Sequence, residues 1–147
     1  MAAGLPRRTL PSMSDAAKEW DERYRGGRGM PDEPSALLVQ NPALLPAGGR
    51  ALDIAMGSGR NALYLASQGF RVTGVDVSTV AIELCHEKAA RLGLEVEAIV
   101  ADLEDYPLPV DTYDLIINFH FLQRSLVGPI VRALKRGGLL FCESFTV

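Results

Sequence analysis

Three carboxylates stand where apolar, strand-like runs end: Asp53 within Ala51–Ala55, Asp76 after Val72–Val75, and Asp102 after Val96–Ala101. Between the first two lies Gly57-Ser58-Gly59-Arg60-Asn61-Ala62. Its glycines permit a tight turn and a close approach of a ligand to the amides that open a helix. Gly57, Gly59 and Ala62 satisfy G-x-G-x-x-G/A, the dinucleotide spacing, which discriminates little by itself. Asp53 discriminates more. A buried carboxylate just ahead of that turn repels a pyrophosphate in a low-dielectric crevice and favours a ligand that carries positive charge. Capping the amides of the turn is the alternative role for this acid.

S-adenosylmethionine meets that requirement, with an ammonium, a sulfonium and no phosphate, so the loop can hold its aminoacyl end. Asp76 closes the next strand at close to the ~20-residue spacing of adenosine sites, where an acid accepts both ribose hydroxyls. Its bland reading is a charge at a helix N-terminus, a place where Ser78 already supplies the cap. Asp102 can accept the adenine amino group and Leu103 can pack on the ring. Three acids ending three successive strands mark one edge of one sheet.

Of two histidines, His86 falls mid-helix as a solvated group, while His120 follows Asn118-Phe119 at the crevice with Arg124 close behind. There it can take a proton or attract an anionic substrate, or simply occupy a loop. Trp20 and Tyr24 share one helix face and either close over the cofactor or pack on the sheet; Arg23, Arg25 or Arg60 can meet its carboxylate.

These residues need elements to carry them. Ser14 caps a helix that runs to Gly26-Gly27, and Pro34 starts a short helix through Leu45. From Arg50 onward strands alternate with helices: strands at Ala51–Ala55, Arg71–Val75, Val96–Ala101, Leu115–Phe119 and Leu139–Phe145, helices at Arg60–Ser67, Thr79–Leu92 and Gln123–Lys135. Strands apolar on both faces and joined by helices specify an α/β fold, a doubly wound, Rossmann-like parallel sheet with helices on both faces. The expected order is 3-2-1-4-5, which puts the ligand crevice between the carboxyl ends of strands 1 and 4.

With 147 residues, 48% hydrophobic and 22% charged, the chain suits one domain over 14–147, with lid helices in 14–49, a core in 50–147 and a disordered tail over 1–13. Translation could begin at Met1 or Met13. A net charge of −3 without a basic block argues against nucleic acid. Cys85 and Cys142 form no CxxC pair, so neither a disulfide framework nor a metal site is expected, and a reducing cytoplasm is the simplest setting. No apolar run is long enough to span a membrane.

The stretch DIAMGSGRNALYLA from Asp53 to Ala66, with GVDVS at 74–78, AD at 101–102, YDLII at 113–117 and LKRGGLLFCESF at 134–145, resembles small bacterial class I methyltransferases that use S-adenosylmethionine. Gly-Arg-Asn at 59–61 and Trp20-Asp-Glu-Arg-Tyr24 resemble the tellurite-resistance type. The resemblance implies that Gly57, Ser58 and Gly59 contact the methionyl part, with Arg60 and Asn61 beside them. It sets Asp76 on the ribose with Ser78 nearby, Val77 beside the adenine, Asp102 and Leu103 on the adenine edge, and Asn118 and Phe119 beside the methyl group. Asn118 and His120 are the catalytic candidates, and Met56 departs from the usual Cys or Gly.

Methyl transfer to a small-molecule acceptor, anionic or metalloid, is the expected activity. The rivals are a cofactor-binding fragment or interaction module without turnover and, further off, a nicotinamide-dependent oxidoreductase. That fold continues past strand 5, so strands 6 and 7 are expected to be lacking here, and strand 5 to offer an open edge to a second copy or to aggregation.

Overall fold

The computed structural model describes residues 14–121 and 123–144. The expected tail, the alternative start at Met13 and the last residue of the expected fifth strand, Phe145, lie outside them. Ser14 opens helix α1 (Asp15–Arg25), its hydroxyl accepting from the Ala17 amide at 3.3 Å. Asp15 in the first turn and Arg23 and Arg25 in the last complement the helix dipole.

Five strands, β1 (Gly49–Ile54), β2 (Phe70–Asp76), β3 (Val96–Val100), β4 (Tyr113–Phe119) and β5 (Leu134–Glu143), pair in parallel in the order β3-β2-β1-β4-β5. Helices α3 (Arg60–Ser67) and α4 (Thr79–Leu92) cover one face, burying Leu63, Leu65 and Ile82 against Ala51, Leu115 and Ile117. Helix α5 (Val127–Ala133) covers the other, setting Ile130 and Ala133 against Leu52, Ile54 and Ile116. The sheet order and the presence of helices on both faces agree with the sequence reading. Among the described residues no helix is long and apolar enough to cross a membrane.

Two elements differ from expectation. The helix expected over 34–45 is split into α2 (Ala36–Val39) and a 3-10 turn at Pro42–Leu44. Pro42 brings no amide hydrogen and holds Asn41 outside the helical region, at φ −126° and ψ 48°. The helix expected over 123–135 ends at Ala133, and β5 starts at Leu134. Tyr113 pairs with Leu134 but Leu115 with Leu139, so 135–138 bulges out of register. Gly137, at φ +81°, supplies the left-handed residue that such a bulge needs.

Candidate active site

Asp53 sits inside the sheet, in register with Gly74 on one side and Ile117 on the other. Past Ile54 the chain leaves the strand through Ala55 at φ 56° and turns over Gly57 at φ 57° and Gly59 at φ 90°. Side chains rarely adopt these conformations, which is why the glycines stand here. Met56 is accommodated by β2: its sulfur occupies the space that a Cβ on Gly74 would fill. Asp53 is 2% exposed, and the nearby Ala62 amide favours its charged form. Its Oδ2 has no hydrogen-bond partner among the described residues. Burial, and next the charge of Asp76, raise its carboxyl well above the ordinary carboxylate range.

Asp76 ties the end of β2 to the glycine loop. Its Oδ2 accepts from the Gly57 amide at 2.8 Å and its Oδ1 from the Ser78 amide at 2.9 Å. Burial raises this carboxyl too, against the lowering effect of those amides. The Ser78 hydroxyl caps α4 by accepting from the Ala81 amide at 3.1 Å, and donates to Asp21 at 2.5 Å. Asp21 also accepts from the Val80 amide at 3.2 Å, so α1 is docked on the first turn of α4. Sequence reading passed over Asp21, although an acid between Ala17 and Tyr24 on one buried helix stripe was a signal.

Docked in this way, α1 presents Trp20 and Tyr24, with ring centroids 6.0 Å apart. The Tyr24 ring and hydroxyl take the space that side chains at Gly29 and Gly57 would need. Burial, and next the charge of Asp76, raise the pKa of its hydroxyl against the lowering effect of the nearby Ser58 and Met30 amides. Three more contacts sew the segment after α1 to the loop: Arg60 donates to the Glu33 carbonyl at 3.3 Å, Lys88 bridges Asp32 and the Ser58 hydroxyl, and the Asn61 Oδ1 accepts from the Ser35 amide at 2.7 Å.

Together these elements enclose a cavity of about 310 Å³ at the carboxyl ends of the strands. The structure brings most of the predicted residues into its wall: Trp20, Tyr24, Asp53, Gly57, Ser58, Arg60, Asn61, Asp76, Val77, Asp102, Leu103, Phe119 and His120. Gly59, Ser78 and Asn118 lie outside that wall. A side chain at Gly59 would meet Cys85, whose thiol burial pushes up to about 11; Ser78 is fully buried beneath α1; Asn118 is buried, its Oδ1 without a hydrogen-bond partner among the described residues. Arg23, Arg25, His86 and Arg124 are exposed and do not line the cavity. Asp102 is exposed and accepts from the Glu104 amide at 3.0 Å, whereas Leu103 is buried. Met30, Met56, Phe121 and Gln123 also belong to the wall, and sequence reading did not single them out as its members.

The residues present fit S-adenosylmethionine. An unsatisfied buried carboxylate oxygen in the wall calls for a cationic donor, which an ammonium provides. Leu103 and Val77 offer apolar surface near the acids that suit a nucleoside.

Residues 51–138, from β1 into β5, match the family described as methyltransferase domain. The S-adenosyl-L-methionine-dependent Diels-Alderase iccD of Talaromyces variabilis is 35% identical over 64% of this chain and 35% of its own length. The probable S-adenosyl-L-methionine-dependent methyltransferase TehB of Haemophilus influenzae is 30% identical over 58% of this chain and 31% of its own. Among solved structures, coclaurine N-methyltransferase bound to N-methylheliamine and SAH superposes with a TM-score of 0.65 at 28% identity, covering 73% of this chain and 33% of that one. The chain thus spans about a third of the length of these relatives. With strand order, glycine turn and strand-end acids all inside or beside the matched segment, the chain belongs to the methyltransferase domains, whose cofactor is S-adenosylmethionine.

Proposed function

We propose that this chain binds S-adenosylmethionine in the cavity and catalyses transfer of its methyl group to a small-molecule acceptor, anionic or metalloid compounds being the class suggested by the tellurite-type resemblance. One observation carries the reading: the buried Asp53 Oδ2, unsatisfied in the cavity wall, beside a turn whose amides are closed by Asp76. When bound, the cofactor supplies an electrophilic methyl group and a thioether leaving group. The protein then contributes alignment and exclusion of water. Asp53 receives the ammonium, Asp76 faces the ribose hydroxyls, and Val77 and Leu103 border the adenine. Trp20 and Tyr24, held by the Asp21–Ser78 contact, act as a lid. A reducing cytoplasm suits the free Cys85 and Cys142.

A second reading, cofactor binding in the service of other chemistry, is favoured by the Diels-Alderase among the relatives. Calorimetry separates these from the oxidoreductase: S-adenosylhomocysteine binds and NADH does not, because Asp53 opposes phosphate. Tight NADH binding with no response to S-adenosylhomocysteine would overturn the proposal. Formation of S-adenosylhomocysteine from S-adenosylmethionine in the presence of acceptor distinguishes methyl transfer from the second reading.

A further inference from the structure

Where β4 and β5 end beside the cavity, a histidine of the wall meets a carboxylate of the neighbouring strand. His120, which lines the cavity, leaves β4 at φ 62°, an uncommon backbone conformation for any residue other than glycine and one found enriched at functional positions. Its amide donates to the Glu143 carbonyl at 2.6 Å, and its Nε2 lies 3.8 Å from the Glu143 Oε2. That oxygen also accepts from the Ser35 hydroxyl at 3.2 Å. Ser35 is buried, fixed by its own amide on Asn61, and caps α2. Four segments distant in sequence therefore converge to hold one carboxylate against one imidazole. The acids that line the cavity are committed elsewhere: Asp76 to the glycine loop, Asp102 to its own turn and Glu104 to Gln123, with Asp53 deep in the sheet.

We propose that Glu143 is the positioning residue of an acid–base pair in which His120 removes a proton from the methyl acceptor, which makes the acceptor a protic nucleophile, a thiol, hydroxyl or amine, in place of the anionic or metalloid class that the tellurite-type resemblance suggests. This rests on the methyltransferase reading above. In the step, a lone pair of the acceptor heteroatom forms the bond to the methyl carbon as the carbon–sulfur bond breaks and its electron pair stays on sulfur. The proton of the heteroatom passes to His120 Nε2. At 3.8 Å the carboxylate is beyond hydrogen-bond reach but within ion-pair reach, so it stabilises the imidazolium that forms.

The test uses His120→Gln, Glu143→Gln, Glu143→Asp and the double variant, with S-adenosylmethionine and four probe acceptors: a small thiol, a phenol, a primary amine and, as a control without a removable proton, dimethyl sulfide. On at least one protic probe, H120Q lowers kcat by about 100-fold or more and E143Q by about tenfold, with KM little changed. Glu143→Asp recovers part of the loss. In the H120Q background, removing Glu143 costs nothing further, because it acts through the imidazole. In both variants methylation of dimethyl sulfide falls far less than that of the protic probe, and S-adenosylhomocysteine still binds by calorimetry. Equal slowing on dimethyl sulfide, additive losses in the double variant, full activity of E143Q, or a wild-type protein that binds S-adenosylhomocysteine yet methylates no protic probe would each overturn the pair. Absence of S-adenosylhomocysteine binding in the wild-type protein would instead remove the methyltransferase reading itself.

Discussion

Ile116 and Leu140 face each other across the β4–β5 ladder, and both are branched aliphatic residues inside apolar runs. Ile116 is fully buried; Leu140 is 42% exposed. The two sequences promise the same burial, and the place in the sheet order decides otherwise. β4 has β1 on one side, β5 on the other and α5 across its face, whereas β5 has a strand neighbour on one side only among the described residues. The acids follow the same division. Asp53 and Asp76 end strands flanked on both sides, and their burial raises both carboxyls. The exposed Asp102 follows β3, an edge strand. Chemistry that relies on low dielectric is thus built on β1 and β2, while β3 and β5 frame it.

The largest expected effect tests that claim at Asp53. In Asp53→Asn the cavity keeps its shape but loses the charge that the cofactor's ammonium needs, and S-adenosylhomocysteine binding falls by about 3–5 kcal/mol, the scale of breaking a buried ion pair. Ligand-free stability moves the opposite way. Because burial raises this carboxyl in the folded state, its protonated form is favoured by folding, and that contribution is lost as pH rises from the ordinary carboxylate range through the raised native value. The asparagine variant lacks this loss, so its melting temperature should gain on the wild type as pH rises across that window. Within that pH window binding should also release a proton in the wild type and none in the variant, read by calorimetry in buffers of different ionisation enthalpy. Equal affinity in both proteins would show that Asp53 caps the turn and nothing more.

Ile116→Ala removes side-chain volume from the fully flanked part of the sheet, and denaturant unfolding should report a loss of about 2–5 kcal/mol. A loss below about 1 kcal/mol would mean that the α5 face of the sheet is loosely packed.

Much of this site was legible because its signals are local. An acid at the end of an apolar strand is anomalous in its own run, and Gly57 and Gly59 announce a turn wherever they stand, so Asp53, Asp76, Asp102 and the loop could be placed before any contact was known. What the sequence concealed is made by long-range closure. Ser35 meets Glu143 across nearly the whole described chain, and Asp21 meets Ser78 from another helix. No spacing encodes such pairs. The same limit explains Ser78 and Asn118, named for their position beside residues that line the cavity although they themselves lie outside its wall. The two misjudged helices failed for a different reason. At Pro42 a local steric rule was available and outweighed by the apolar run, whereas the bulge over 135–138 depends on pairing with β4.

The smallest effect on stability, and the sharpest contrast with Ile116, lies at Leu140. A lysine there replaces a side chain that is already 42% exposed, so the fold should lose no more than about 0.5 kcal/mol. Its consequence for association is larger. Among the described residues the outer edge of β5 offers backbone amides and carbonyls beside the exposed Leu139 and Leu140, with Val127 and Val131 exposed on the neighbouring α5. We propose that a second copy of the chain pairs along this edge at high concentration, since an open apolar edge strand is a template for another strand, and that a lysine on it opposes the pairing by bringing like charges together. Sedimentation at rising concentration should then show a weight-average mass that climbs for the wild type and stays monomeric for Leu140→Lys, at nearly equal unfolding free energy. A wild type that remains monomeric throughout would show that exposure at β5 is tolerated without pairing. A lysine variant that associates like the wild type would place the contact on another surface.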